Sequence, residues 1–91
     1  LDVLAANSFE VRHIPGAKSV PYSTTFLEDF EKTIGAPKDA EIVAYCASSG
    51  CQLSSMAADV LVEAGYTNVY HFVDGLAGWM EAGHSFEGAA A

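Results

Sequence analysis

The sequence predicts an α/β fold: a mainly parallel sheet with helices on its faces, joined by right-handed crossovers. Runs at residues 1–4, 41–45 and 68–73 have the length and composition of strands, and residues 18–20 read as a smaller one. The segments between the later runs carry apolar residues at helical spacing and end at glycine. The 91 residues, 51% of them apolar, supply one core and one domain, placed at residues 1–87, with 88–91 read as a frayed tail.

The elements follow in order. Leu1-Asp2-Val3-Leu4 reads as the interior of a strand, so the chain is expected to begin inside its fold. One helical turn is expected around Phe9. In His13-Ile14-Pro15-Gly16-Ala17, Pro15 disfavours helix at the residue before it and Gly16 tolerates unusual backbone angles, so a turn is predicted. Lys18-Ser19-Val20 is a small strand ended by Pro21.

Ser23, Thr24 and Thr25 are candidate caps for a helix carrying Phe26, Leu27, Phe30 and Ile34, which Gly35 stops. Its Glu28, Asp29, Glu31 and Lys32 face solvent. Glu41 to Tyr45 is a strand of the kind buried on both faces. A helical stripe of Met56, Ala57, Val60, Leu61 and Ala64 runs to Gly65. Asn68 to Val73 is a further strand, Asp74-Gly75 a turn, and Leu76 to Ala82 a short helix.

The formal charge of -8, from 12 acids against 4 bases, argues against nucleic acid or an anionic membrane surface as partner, since either needs a basic footprint. No apolar stretch approaches the roughly 20 residues of a membrane span. A monomer is expected. The expected location is cytoplasmic, or periplasmic if a leader has been removed.

The most informative segment is Cys46-Ala47-Ser48-Ser49-Gly50-Cys51-Gln52, between a strand and a helix. The carboxyl end of a strand in a parallel sheet is where such folds put their chemistry, and the following helix offers free N–H groups and a positive dipole end. Both favour a thiolate, so Cys46 is expected to be a solvent-exposed nucleophile. The N–H groups of Ala47 to Gln52 can form an anion-binding nest, with Ser48 and Ser49 hydroxyls as further donors and Gly50 permitting the turn.

With these residues laid out, the chain resembles a single rhodanese-like domain from end to end. Leu1-Asp2-Val3, His13-Ile14-Pro15-Gly16-Ala17 with Val20-Pro21, Ile42-Val43-Ala44-Tyr45-Cys46, Ala57-Ala58 with Leu61 and Gly65-Tyr66, and Asp74-Gly75-Leu76-Ala77-Gly78-Trp79 stand in the family's order. The resemblance implies a three-layer α/β/α domain with about five strands. It also implies a cysteine that accepts sulfane sulfur as a persulfide and passes it to a thiol or cyanide, with no metal or organic cofactor.

Leu4 stands where an arginine often follows Asp-Val, and Arg12 replaces a common glycine. The active loop is longer than in common sulfurtransferases and similar to that of the cell-cycle dual-specificity phosphatases. Those need an arginine at the sixth position after the cysteine, where this chain has Gln52. A neutral amide is a poor device for phosphoryl transfer and weakens the case for dianionic thiosulfate as donor. A protein persulfide or a small persulfide is the expected partner.

Cys51, five residues after Cys46, is either a small packing residue or a resolving thiol that closes a disulfide on a Cys46 persulfide or sulfenate. The second role would make a reductase acting on arsenate, sulfenates or polysulfides. A non-catalytic binding module is a further alternative. A zinc site from the cysteines with His13, His71 and His84 is disfavoured by their spacing. His13 is read as a brace for the adjacent turn, His71 as packing at a strand edge, Trp79 and Tyr66 as core, and Asp2 as a backbone anchor.

Overall fold

The computed structural model describes residues 1–90 as α1 (Ala6–Val11), α2 (Phe26–Thr33), β1 (Glu41–Tyr45), α3 (Leu53–Glu63), β2 (Asn68–Phe72) and α4 (Gly75–Glu81). β1 and β2 pair in parallel, with Glu41 opposite Asn68 and Tyr45 opposite Phe72. A parallel pair needs a crossover, and α3 supplies it.

The described sheet has two strands instead of about five. Residues 1–3 and 18–20 do lie alongside β1, in the lateral order 18–20, 1–3, β1, β2, but each contact is a single bridge. Asp2 bridges Ser19 on one side and Tyr45 on the other. The pairing of residues 1–3 with 18–20 ends for a local reason: the Leu4 N–H turns back to Asp2 Oδ1 at 2.9 Å instead of donating across to the neighbouring segment. The remaining bridge is antiparallel, between His13 and Glu87.

Residues 88–90 lie beside the end of α1. The N–H groups of Ala89 and Ala90 donate to the carbonyls of Glu10 and Val11, two of the carbonyls left unpaired where α1 ends. Ala91 lies outside the described residues.

The core lies between α2, α3 and the α3 face of the sheet. Phe26 and Phe30 are buried on α2, and Phe30 meets the Tyr66 ring edge-on with centroids 5.4 Å apart. Each buried aromatic contributes about 1.5–3 kcal/mol. α3 turns Ser54, Ala57 and Leu61 inward, the i, i+3, i+7 stripe of an amphipathic helix. Thr25 takes the N-cap position of α2, but its hydroxyl donates to Asp29 instead of to the helix backbone.

One polar cluster sits inside this frame. Asp2 is fully buried, its Oδ1 accepting the Leu4 N–H and its Oδ2 accepting the Tyr45 hydroxyl at 2.9 Å. The Tyr45 oxygen in turn accepts the Ile14 N–H at 3.1 Å. The backbone-anchor reading of Asp2 therefore extends to a network tying the first segment, the His13-Ile14 turn and the end of β1. Burial, with the Asp2 carboxylate adding to it, pushes the Tyr45 phenol well above its ordinary range.

Candidate active site

Cys46 follows the last residue of β1, and side chains alternate along a strand, so its sulfur points to the face opposite Tyr45. That face is covered by α3. The expected solvent exposure is not observed: Cys46 is 1% exposed. Two contacts cover it. Its sulfur is bonded to Cys51, with the Cα atoms 6.3 Å apart, and its backbone is held by α4. The Leu76 N–H donates to the Cys46 carbonyl at 3.0 Å and the Ala77 N–H to the Ala47 carbonyl at 2.9 Å.

This docking explains Gly75. Its φ is +56°, in the left-handed region, and a Cβ there would overlap the Cys46 carbonyl. Asp74-Gly75 is thus a turn and also the place where the α4 backbone approaches the reactive loop.

Residues 47–52 form that loop, curled by a Cys51 N–H bond to the Ser48 carbonyl at 3.0 Å. Among the described residues, the N–H groups of Ala47, Ser48, Ser49, Gly50 and Gln52 donate to no backbone carbonyl. Ala47, Ser49, Gly50 and Gln52 are exposed, and Ser48 is half-buried. Gln52 occupies the N-cap position of α3, and its side chain makes no capping bond. No Lys or Arg lies between residues 46 and 54. The loop therefore offers backbone donors without a cation.

Two residues that sequence reasoning did not assign complete the site. Ser54, fully buried on α3, places its hydroxyl 3.3 Å from the Cys46 sulfur. The same hydroxyl is 2.6 Å from His71 Nε2. His71 is therefore not a mere edge-packing residue. It pairs with Ala44 in the sheet register and so shares the α3 face of β1 and β2.

The other histidines stay away. His13 stacks on Phe9 at 3.8 Å and its Nδ1 bonds the Phe9 carbonyl at 2.8 Å, tying α1 to the following turn. His84 packs on Trp79. Among the described residues no cluster of His, Cys, Asp or Glu is arranged to hold a metal ion, and no helix is long and apolar enough to cross a membrane.

The rhodanese-like domain profile matches residues 1–82. No curated protein sequence matches the chain. Among solved structures, a rhodanese-like domain of the Alr3790 protein from Anabaena sp. superposes with a TM-score of 0.81 at 27% identity, covering 94% of this chain and 93% of that one. The BH2092 protein from Bacillus halodurans gives 0.82 at 27% identity, over 98% of this chain and 62% of that one. A thiosulfate sulfurtransferase from Pseudomonas aeruginosa gives 0.81 at 30% identity, over 96% of this chain but 16% of that protein. A cysteine at a strand end, a loop of unpaired N–H groups and this profile agree: the chain belongs to the rhodanese-like family.

Proposed function

We propose that this domain is a sulfurtransferase or sulfane-sulfur carrier in which Cys46 takes up sulfur as a persulfide and passes it to a thiol or cyanide. The carrying observation is the Cys46 sulfur 3.3 Å from the Ser54 hydroxyl in the first turn of α3, at the head of a loop whose N–H groups at residues 47–50 donate to no backbone carbonyl. Such donors stabilise a thiolate and then an anionic persulfide. The likeness to a thiosulfate sulfurtransferase supports the same reading.

In the first half-reaction the Cys46 thiolate attacks the outer sulfur of the donor. An S–S bond forms at Cys46, the donor's own S–S bond breaks, and its electron pair leaves with the donor thiolate. In the second, the acceptor attacks the outer sulfur and the Cys46 thiolate is regenerated. Backbone and hydroxyl donors suffice for both steps. With a net charge of -8 and Gln52 at the loop's end, a small persulfide or a protein persulfide is the donor class this surface suits. Thiosulfate is a poorer one.

The disulfide favours a second reading, a dithiol device. Attack of the Cys51 thiolate on the inner sulfur of a Cys46 persulfide forms the Cys46–Cys51 bond and expels hydrosulfide, the sulfane sulfur being reduced as the two thiols are oxidised. The two readings share Cys46 and differ in the fate of the sulfur.

Cyanide-dependent thiocyanate formation from glutathione persulfide, on protein first reduced and then freed of reductant, tests the proposal. Turnover lost in Cys46→Ser and kept in Cys51→Ser supports the carrier. Sulfide release with accumulation of disulfide, lost in Cys51→Ser, supports the dithiol device. No reaction with any donor assigns the domain to binding instead.

A further inference from the structure

Ser54 is a hydroxyl on the fully buried stripe of α3, a position whose neighbours on that stripe are Ala57 and Leu61. A buried hydroxyl is retained only with partners, and this one has two: the Cys46 sulfur at 3.3 Å and His71 Nε2 at 2.6 Å. The three atoms form an unbroken line from the sulfur to a titratable ring that lies half-buried on β2. Nothing in the packing of α3 on the sheet requires either polar side chain.

We propose that Ser54 and His71 form a proton relay on Cys46, with Ser54 touching the reacting sulfur and His71 acting through it as a positioning residue and proton acceptor. The proposal rests on Cys46 being the nucleophile. In the reduced protein the Cys46 S–H donates to Ser54 Oγ while the Ser54 O–H donates to Nε2. Transfer of both protons along the line yields a thiolate and an imidazolium with no change in total charge. Every bond in the line then reverses: Nε2–H donates to Oγ and the Ser54 O–H donates to the thiolate, a charge-assisted bond stronger than the one it replaces. When the thiolate forms a persulfide or the disulfide, the donor's leaving thiolate or the expelled hydrosulfide can take up the proton held at His71.

The surroundings isolate this line. β1 presents Ile42 and Ala44 beside Cys46 on the same face, and α3 presents Ser54, Ala57 and Leu61, so Cys46 is the titratable group facing His71 from these two elements. Asp59 and Glu63 of α3 are exposed, and Asp74 lies in the exposed turn after β2. From the loop, Cys51 reaches Cys46 itself.

The test uses the Cys51→Ser protein, which leaves Cys46 as its single thiol. Thiolate absorbance near 240 nm is titrated against pH, with the Cys46→Ser, Cys51→Ser double variant subtracted. The expected midpoint lies below the ordinary thiol value of about 8.5. Ser54→Ala and His71→Asn in this background each raise it by about one pH unit, a tenfold loss of thiolate at a given pH, and together raise it little further because they interrupt one line. In parallel, the His71 ring is followed by NMR in the Cys51→Ser protein, which needs no change at Ser54 or His71. Alkylating Cys46 removes the thiolate and lowers the midpoint of His71 by a comparable amount. Cys46 midpoints within 0.3 units across all variants, or a His71 titration unmoved by alkylation, overturn the relay. Neither measurement involves sulfur transfer, so they fail or succeed independently of it.

Discussion

Tyr45 and Cys46 are neighbours at one strand end, yet they face opposite sides of the sheet into two different polar clusters. On one side, Tyr45 bridges the Asp2 carboxylate and the Ile14 N–H. On the other, Cys46 meets Cys51 and the Ser54 hydroxyl, which in turn meets His71. The first cluster fixes where β1 ends relative to the opening segments. The second holds the residues of the proposed sulfur transfer. Burial alone does not distinguish them, since Asp2 and Ser54 are equally inaccessible. What distinguishes them is the partners: a carboxylate, a phenol and a backbone N–H on one side, and two sulfurs, a hydroxyl and an imidazole on the other.

Substitutions on the two faces should therefore separate activity from stability. The largest expected effect is on activity: Cys46→Ser lowers persulfide-dependent thiocyanate formation by at least about a thousandfold, while its melting temperature stays near that of the reduced parent. Gly75→Ala acts beneath both faces. It forces a Cβ against the Cys46 carbonyl in a left-handed conformation, and denaturant unfolding should register a loss of about 2–4 kcal/mol.

Tyr45→Phe leaves Asp2 Oδ2 and the Ile14 N–H without their partner, costing about 1–3 kcal/mol, with the Cys46 titration unmoved. It also changes the alkaline limb. A phenol whose folded-state pKa is raised stabilises the fold fully below its unfolded value of about 10, and that stability is lost as pH climbs above it toward the folded-state value. Melting curves of the parent above pH 10 should therefore fall more steeply than those of Tyr45→Phe. The smallest effect is Gln52→Arg, which adds one cation at the amino end of α3 and should raise turnover with thiosulfate about fivefold, the scale of an exposed charge contact of about 1 kcal/mol.

The sequence was most readable where one element explains itself. The spacing of Phe26, Phe30 and Ile34 marked α2, and the run Glu41 to Tyr45 marked β1 to the residue. Residues 1–4 read as a strand because they are short and apolar, and 18–20 as a small one ended by Pro21, but strand length depends on partners. Here the Leu4 N–H turns back to the Asp2 side chain, and the pairing with 18–20 stays at one bridge. The exposure expected of Cys46 failed for a similar reason, since α4 packs its backbone over the loop from about 30 residues away in sequence.

The Ser54–His71 contact spans 17 residues and has no motif of its own. A signal was nonetheless present. Ser54 falls on the same helical stripe as Ala57 and Leu61, and His71 shares the parity of Val69, which packs on the core. Polar residues at two inward positions on adjoining elements call for a common partner.

The most direct test of the account is intact mass of the reduced protein after brief exposure to glutathione persulfide, for the parent, Cys46→Ser and Cys51→Ser. The account predicts one added sulfur, about 32 Da, retained in Cys51→Ser and absent in Cys46→Ser. A mass unchanged in all three, or a sulfur that persists in Cys46→Ser, would contradict the assignment of Cys46 as the sulfur-accepting residue.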